Sequence, residues 1–140
     1  MDLFESHGFL VNRLAHLMAN ELERRFKVHG ITPSQWSVLA VLWQHEGIAQ
    51  VELQQRLRLE GATVTGILQR MEKSGLIQRQ VDKADKRVQL VYLTDRGKNL
   101  KGILIPEARA VNEMALQGFT KDERTFFMRL LTRALQNLNF

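Results

Sequence analysis

Thr63, Thr65, Gln69, Arg70 and Lys73 fall within one short stretch, and Lys83, Asp85, Lys86 and Arg87 follow close behind. These side chains hydrogen-bond and neutralise anions; as a set they read base edges and phosphates rather than break bonds. The spacing supports that reading. Val64, Ile67, Leu68 and Met71 recur at helical intervals and face inward, so Thr65, Gly66, Gln69, Arg70 and Lys73 face outward, with Thr63 at the helix's leading end. Charge points the same way. Eleven basic and five acidic residues lie between Gln54 and Lys101, a net of +6, while the rest of the 140-residue chain nets −1. The entire surplus of the +5 chain therefore sits beside the polar helix, and a polyanion is the natural partner.

Composition removes other chemistries. The absence of cysteine excludes thiol nucleophiles, disulfides and thiolate-bound metals. There is no phosphate-binding glycine loop and no His-Glu-x-x-His; His7, His16, His29 and His45 are scattered, so neither an enzyme nor a cofactor is expected. No apolar run has the length of a membrane span, and Met1-Asp2-Leu3-Phe4-Glu5 is acidic where a secretory leader is basic, so a cytoplasmic protein is expected.

The elements that hold these residues can be read in order. Leu10, Leu14, Leu17, Met18, Leu22 and Phe26 mark a first helix, stopped near Gly30. Thr32, Pro33 and Gln35 form the start signal of a second, with Trp36, Leu39, Leu42 and Trp43 on its inner face. A short third helix over 50–57 and a tight link at Arg58-Leu59-Glu60-Gly61 lead to the polar helix, residues 62–73, which Gly75 ends. The period then shortens: residues 76–81 and 88–93 are β-rich and flank the polar loop Asp82-Lys83-Ala84-Asp85-Lys86-Arg87, a hairpin. A helix from Thr94 to about Gln117, kinked at Pro106, and a last helix capped by Thr120 and Glu123 complete the chain. Two short helices followed at once by a basic hairpin constitute a winged helix-turn-helix.

Thr32-Pro33-Ser34-Gln35-Trp36-Ser37-Val38-Leu39, Gln50-Val51-Glu52-Leu53, Thr63-Val64-Thr65, Leu68-Gln69-Arg70-Met71-Glu72-Lys73-Ser74-Gly75-Leu76, the loop Asp82 to Arg87 and Leu93-Thr94-Asp95-Arg96-Gly97 together resemble the MarR-type regulators, named after multiple-antibiotic-resistance repressors. The resemblance implies a mainly α fold with a small β-hairpin: one domain over 1–140, with a winged helix-turn-helix lobe at 31–99 and dimerisation helices at 1–30 and 100–140. It further implies a homodimer on a pseudo-palindromic double-stranded DNA operator, probing the major groove with Thr63, Thr65, Gln69, Arg70 and Lys73 and the minor groove with Lys83, Lys86 and Arg87. Asp85 is expected to pair with Arg87. Gly66, Lys83 and Lys86 depart from the family's usual residues, so base preference cannot be transferred.

Both chain ends are apolar, through Leu3, Phe4, Phe9 and Leu10 at one and Leu131, Leu135, Leu138 and Phe140 at the other, and are expected to pack against something; the resemblance implies that this is a two-fold mate. The resemblance also implies a crevice for a small phenolic or carboxylic effector, near which Arg13, His16 and Trp36 align. Two alternatives remain open at this stage: a winged-helix interaction module without DNA binding, and a metal-responsive regulator using His and carboxylates.

Overall fold

The computed structural model describes residues 1–138. Phe140, expected in the C-terminal apolar group, lies outside the described residues. After a 3-10 turn at Leu3–Glu5, helix α1 spans His7–Lys27, started by Ser6, whose hydroxyl accepts from the Phe9 N–H. Helix α2, Pro33–Gln44, begins with the expected reciprocal cap: Thr32 Oγ1 accepts from the Gln35 N–H at 3.2 Å, and Gln35 Oε1 accepts from the Thr32 N–H at 3.1 Å. Strand β1 (Ile48–Ala49), helix α3 (Gln50–Leu57) and helix α4 (Gly61–Lys73) follow. Strands β2 (Ile77–Val81) and β3 (Gln89–Leu93) form the hairpin, and α5 (Asp95–Asn99), α6 (Lys101–Ala115) and α7 (Lys121–Asn137) complete the order.

Sequence periodicity misses β1. It is too short to show alternation, yet it pairs antiparallel with β3, Ile48 opposite Val91 and Ala49 opposite Leu90, so the sheet has three strands in the order β1-β3-β2. The wing register runs from Ile77 opposite Leu93 to Val81 opposite Gln89. This register places Val91, Ile77 and Leu93 in the core.

The second correction concerns the single helix expected from Thr94 to about Gln117. It divides at Leu100 into α5 and α6, and Pro106 lies inside α6. Leu100 and Leu104 are buried in the core, which draws that turn inward, whereas Pro106 and Gly102 lie on the exposed face. The Gly102 carbonyl, which loses its helical donor to proline, is therefore within reach of water and carries little penalty.

Phe26, Ile31, Val38, Leu39, Leu42, Leu53, Val64, Ile67, Leu68 and Met71 join Leu76, Ile77, Val91 and Leu93 in one core under the central lobe. Burying each such side chain contributes roughly 1.5–3 kcal/mol, so α4 is anchored firmly through its four inward residues. The outer helices differ. Helix α7 buries no residue, and of α1 only Phe26 is buried. Leu10 (47% exposed), Leu17 (49%), Met128 (66%) and Leu130 (40%) leave an apolar face open on the single chain. Among the described residues no helix is long and apolar enough to cross a membrane.

An ionic cluster joins α1 to α6. Glu21 accepts from Arg24 Nη2 at 2.6 Å and from Arg25 Nε at 2.9 Å, while Arg25 Nη1 reaches Glu107 at 3.1 Å. The hydrogen bond from Arg24, then that from Arg25, pulls the Glu21 carboxyl down from 4.5 to about 2. Because the folded value is depressed, this contribution is present above the unfolded value near 4.5 and is lost as pH falls toward about 2. In Glu21→Gln, thermal melts across that acid window should lose less stability than wild-type melts; parallel curves would show that the cluster contributes nothing.

Candidate nucleic-acid interface

Helix α4 is presented by three devices. Its inner face is locked by Val64, Ile67, Leu68 and Met71. Its entry follows Arg58, which turns the chain through a left-handed conformation at φ 54°. Its exit is held by α5: Thr94 Oγ1 donates to the Gly75 carbonyl at 2.6 Å, the Thr94 N–H to the Leu76 carbonyl at 3.1 Å, and the Arg96 guanidinium to the Ser74 carbonyl. These bonds clasp the three residues that follow α4, whose own N–H groups return to the carbonyls of its last turn, from Arg70, Met71 and Glu72. Arg96, counted in the sequence as part of the cationic surplus, is thus committed to holding α4. Arg79 is similarly engaged, pairing with Glu72 at 3.0 Å and tying β2 to the end of α4; that bond holds the Glu72 carboxyl below its usual range.

The sequence-selected residues divide clearly. Thr63, Gln69, Arg70 and Lys73 are exposed on one side of α4. Thr65 is half-buried, and its hydroxyl accepts from the Gln50 side-chain amide at 2.9 Å. Gln50 was not among the sequence candidates; its place at the first position of the helix before α4 is the signal that points to it. A Cβ on Gly66 would meet Arg70 Nη1 at 3.4 Å, so the Arg70 guanidinium lies back over the glycine and covers the place where the family usually has a long side chain.

The wing tip is built by its own aspartates. Asp82 accepts from the Ala84 N–H at 2.9 Å. Asp85 holds Arg87 in a fork: Arg87 Nε to Oδ1 and Nη2 to Oδ2, both at 3.0 Å, with the Arg87 N–H also on Oδ1 at 3.0 Å. The Arg87 side chain, then its backbone N–H, depresses the Asp85 pKa, and the carboxylate in turn raises that of Arg87. The Arg87 side chain remains 90% exposed, so the pair fixes its direction without hiding it. Among the described residues, Arg70, Lys73, Lys83 and Lys86 have no ion-pair partner and remain as open cations around α4 and the wing.

The effector candidates are less well gathered. Trp36 is half-buried against Phe26 (5.0 Å between rings) and Trp43 (5.7 Å), and it lines a crevice of about 240 Å³ between α1 and α6 with Met18, Leu22, Val111 and Asn112. Arg13 and His16 are exposed on α1 and do not line this crevice; His16 instead lies 3.4 Å from the Asn20 amide. Of the proposed dimer residues, Leu3, Phe4, Leu10, Leu135 and Leu138 are exposed, while Phe9 stacks edge-on with Phe4 and Leu131 is half-buried. Among the described residues, no group of three or more His, Asp or Glu side chains could hold a metal ion.

A locked helix with a polar outer face, preceded by a bracing helix and followed by a basic hairpin, defines a winged helix-turn-helix DNA-binding protein. The sequence profile of the MarR family matches residues 31–88. Over 83% of its length the chain is 37% identical to the HTH-type transcriptional regulator TtmR of Methylorubrum extorquens, although the match spans 58% of that protein. It is 30% identical over 97% of its length to the HTH-type transcriptional repressor NicR of Pseudomonas putida, covering 86% of NicR. A MarR-family regulator from Listeria monocytogenes, solved in complex with 26mer DNA, superposes with a TM-score of 0.83 at 26% identity, covering 91% of this chain and 85% of that one. The chain belongs to the MarR family and is a DNA-binding transcriptional regulator.

Proposed function

We propose that the protein is a homodimeric repressor that grips a pseudo-palindromic operator, one α4 and one wing per half-site, and loosens its hold when a small phenolic or carboxylic acid binds. The observation that carries this reading is the division of the surface. Open cations and hydrogen-bonding side chains gather on α4 and the wing, while exposed apolar side chains gather on α1 and α7, far from them in sequence. Thr63, Thr65, Gln69, Arg70 and Lys73 then meet the major groove, and Lys83, Lys86 and Arg87 the minor groove beside it, where lysine offers a point charge rather than a fork. Leu3, Phe4, Phe9, Leu10, Leu131, Leu135 and Leu138 pack against the second copy, whose two-fold axis sets the half-site spacing near one DNA turn. Repression rather than activation follows the similarity to NicR.

The effector part rests on the crevice walled by Trp36. Its lining is mostly apolar, and Trp36 and Asn112 are the lining residues whose side chains carry a hydrogen-bonding group, which suits a small ring bearing one polar substituent. Arg13 and His16 are retained as candidate anion partners at the neighbouring surface of α1.

Sedimentation of the free protein tests the assembly, and titration of salicylate-like acids into the DNA-bound protein tests release. A dimer that leaves its duplex as the acid reaches millimolar levels is the expected result. A monomer would contradict the two-fold reading, and unaltered binding at those levels would contradict the effector reading.

A further inference from the structure

Thr65 differs from its neighbours on the recognition face because its hydroxyl is already engaged. Gln50, the first residue of α3, reaches across the helix-turn-helix, and its amide nitrogen donates to Thr65 Oγ1 at 2.9 Å. Both side chains are half-buried and neither belongs to the apolar core. The bond is not part of a helix cap: neither Ala49 before α3 nor Glu60 before α4 caps its helix through a side chain. The Thr65 hydroxyl also makes no bond back to its own helix, unlike Ser74, Thr125 and Thr132, whose hydroxyls donate to carbonyls four residues earlier.

We propose that Gln50 is a positioning residue for DNA recognition: by occupying one lone pair of the Thr65 hydroxyl, it turns the hydroxyl hydrogen away from itself and biases the group offered outward toward a donor, so this point of the interface favours a hydrogen-bond acceptor on the DNA. The inference rests on the DNA-binding reading of α4. A threonine hydroxyl carries one donor and two lone pairs, and when free it rotates to serve either kind of partner. Accepting from an amide N–H occupies one of those lone pairs, bars the hydrogen from that direction and polarises the O–H, which strengthens its donation. In the major groove, purine N7, guanine O6 and thymine O4 accept, whereas the amino groups of adenine and cytosine donate. Phosphate oxygens accept as well. Thr65 held by Gln50 therefore favours an acceptor over an amino group at its contact point, where a freely rotating hydroxyl would serve both. The residue type at 50 matters for the same reason. A carboxylate there would take the hydroxyl hydrogen for itself and reverse the polarity offered to DNA.

The test is equilibrium binding of the full-length protein to the duplex that the wild type selects from a random pool, with Gln50→Ala, Thr65→Val and the double variant. Each single variant should lose about five- to tenfold in affinity, the worth of one ordinary hydrogen bond. The double variant should lose no more than Thr65→Val alone. Both single variants should flatten the preference at one shared base pair if the acceptor is a base. If it is a phosphate, both should become indifferent to the same neutral methylphosphonate substitution. Gln50→Glu should bind worse than Gln50→Ala, and the excess should shrink when Thr65→Val is also present. Losses that multiply in the double variant would overturn the proposal. So would a Gln50→Ala protein that binds as tightly as wild type, or one whose weaker binding tracks a lower melting temperature while its base profile is unchanged. A wild type that selects no duplex is a different result and contradicts the DNA-binding reading itself.

Discussion

Gly97→Ala is expected to lower stability by about 3 kcal/mol, a fall of about 10 °C in melting temperature for a chain of this size. Gly97 is buried, and a Cβ there would overlap the carbonyl oxygen of Leu76, which is backbone and cannot swing aside. Retreat is blocked on the other sides. The Gly97 N–H is held by Thr94 Oγ1 at 3.2 Å, and the Gly97 carbonyl accepts from Trp43 Nε1 at 2.9 Å. The Leu76 carbonyl in turn holds the Thr94 N–H, so forcing α5 outward breaks the junction that carries the end of α4. DNA affinity should fall with stability because the recognition helix loses its support. Gly102→Ala supplies the control. It lies in α6 with open space where its Cβ would go, and should be neutral or raise stability by about 0.5–1 kcal/mol, the ordinary helical gain of alanine over glycine. Calorimetry of the three proteins decides the matter; equal melting of Gly97→Ala and wild type would show that α5 has slack.

The second large effect separates gripping from reading. Arg87→Ala removes an exposed cation from the wing and leaves the Asp85 carboxylate without its guanidinium partner. Affinity should drop by similar factors on selected and random duplexes, with the salt slope flatter by about one unit per wing. Gln69→Ala removes a neutral side chain from the exposed face of α4. It should cost about 1–3 kcal/mol on the selected duplex and little on random DNA. Fluorescence anisotropy at several salt concentrations measures both. Equal losses from Gln69→Ala on the two kinds of duplex would mean that this residue positions the backbone and reads no base.

Local chemistry made much of the architecture legible in advance. The caps at Thr32 and Thr120 are short-range signals, and both form with the reciprocal Gln35 and Glu123 bonds that their spacing implies. The inner face of α4 was equally clear, because Val64, Ile67, Leu68 and Met71 allow only one buried side. What sequence could not show depends on contacts between distant segments. Strand β1 exists because β3 lies beside it, and two residues carry no period of their own. The division at Leu100 arises from core packing, whereas Pro106 drew attention because proline interrupts a helix through its own ring.

Charge was legible in total but not in assignment. Counting Arg79, Arg87 and Arg96 with the open cations was correct arithmetic, yet Arg79 serves Glu72, Arg96 serves the end of α4, and Arg87 is directed by Asp85. Arginine's fork makes it the residue most readily committed to carboxylates and carbonyls, which leaves the lysines among the open cations. The same limit applied to Thr65, whose outward helical angle is plain from periodicity while its bond to Gln50 is not. Arg13, His16 and Trp36 were grouped by resemblance alone, and only Trp36 lines the crevice between α1 and α6.

The most direct measurement is the dependence of duplex affinity on salt, taken with the intact protein and DNA from its own promoter region. If Arg70, Lys73, Lys83, Lys86 and Arg87 of two subunits each neutralise a phosphate, the logarithm of the binding constant should fall against the logarithm of salt with a slope of about −9. A flat response, or a solitary subunit that binds no duplex at low ionic strength, would contradict the account and favour a winged helix that serves as a protein-interaction module.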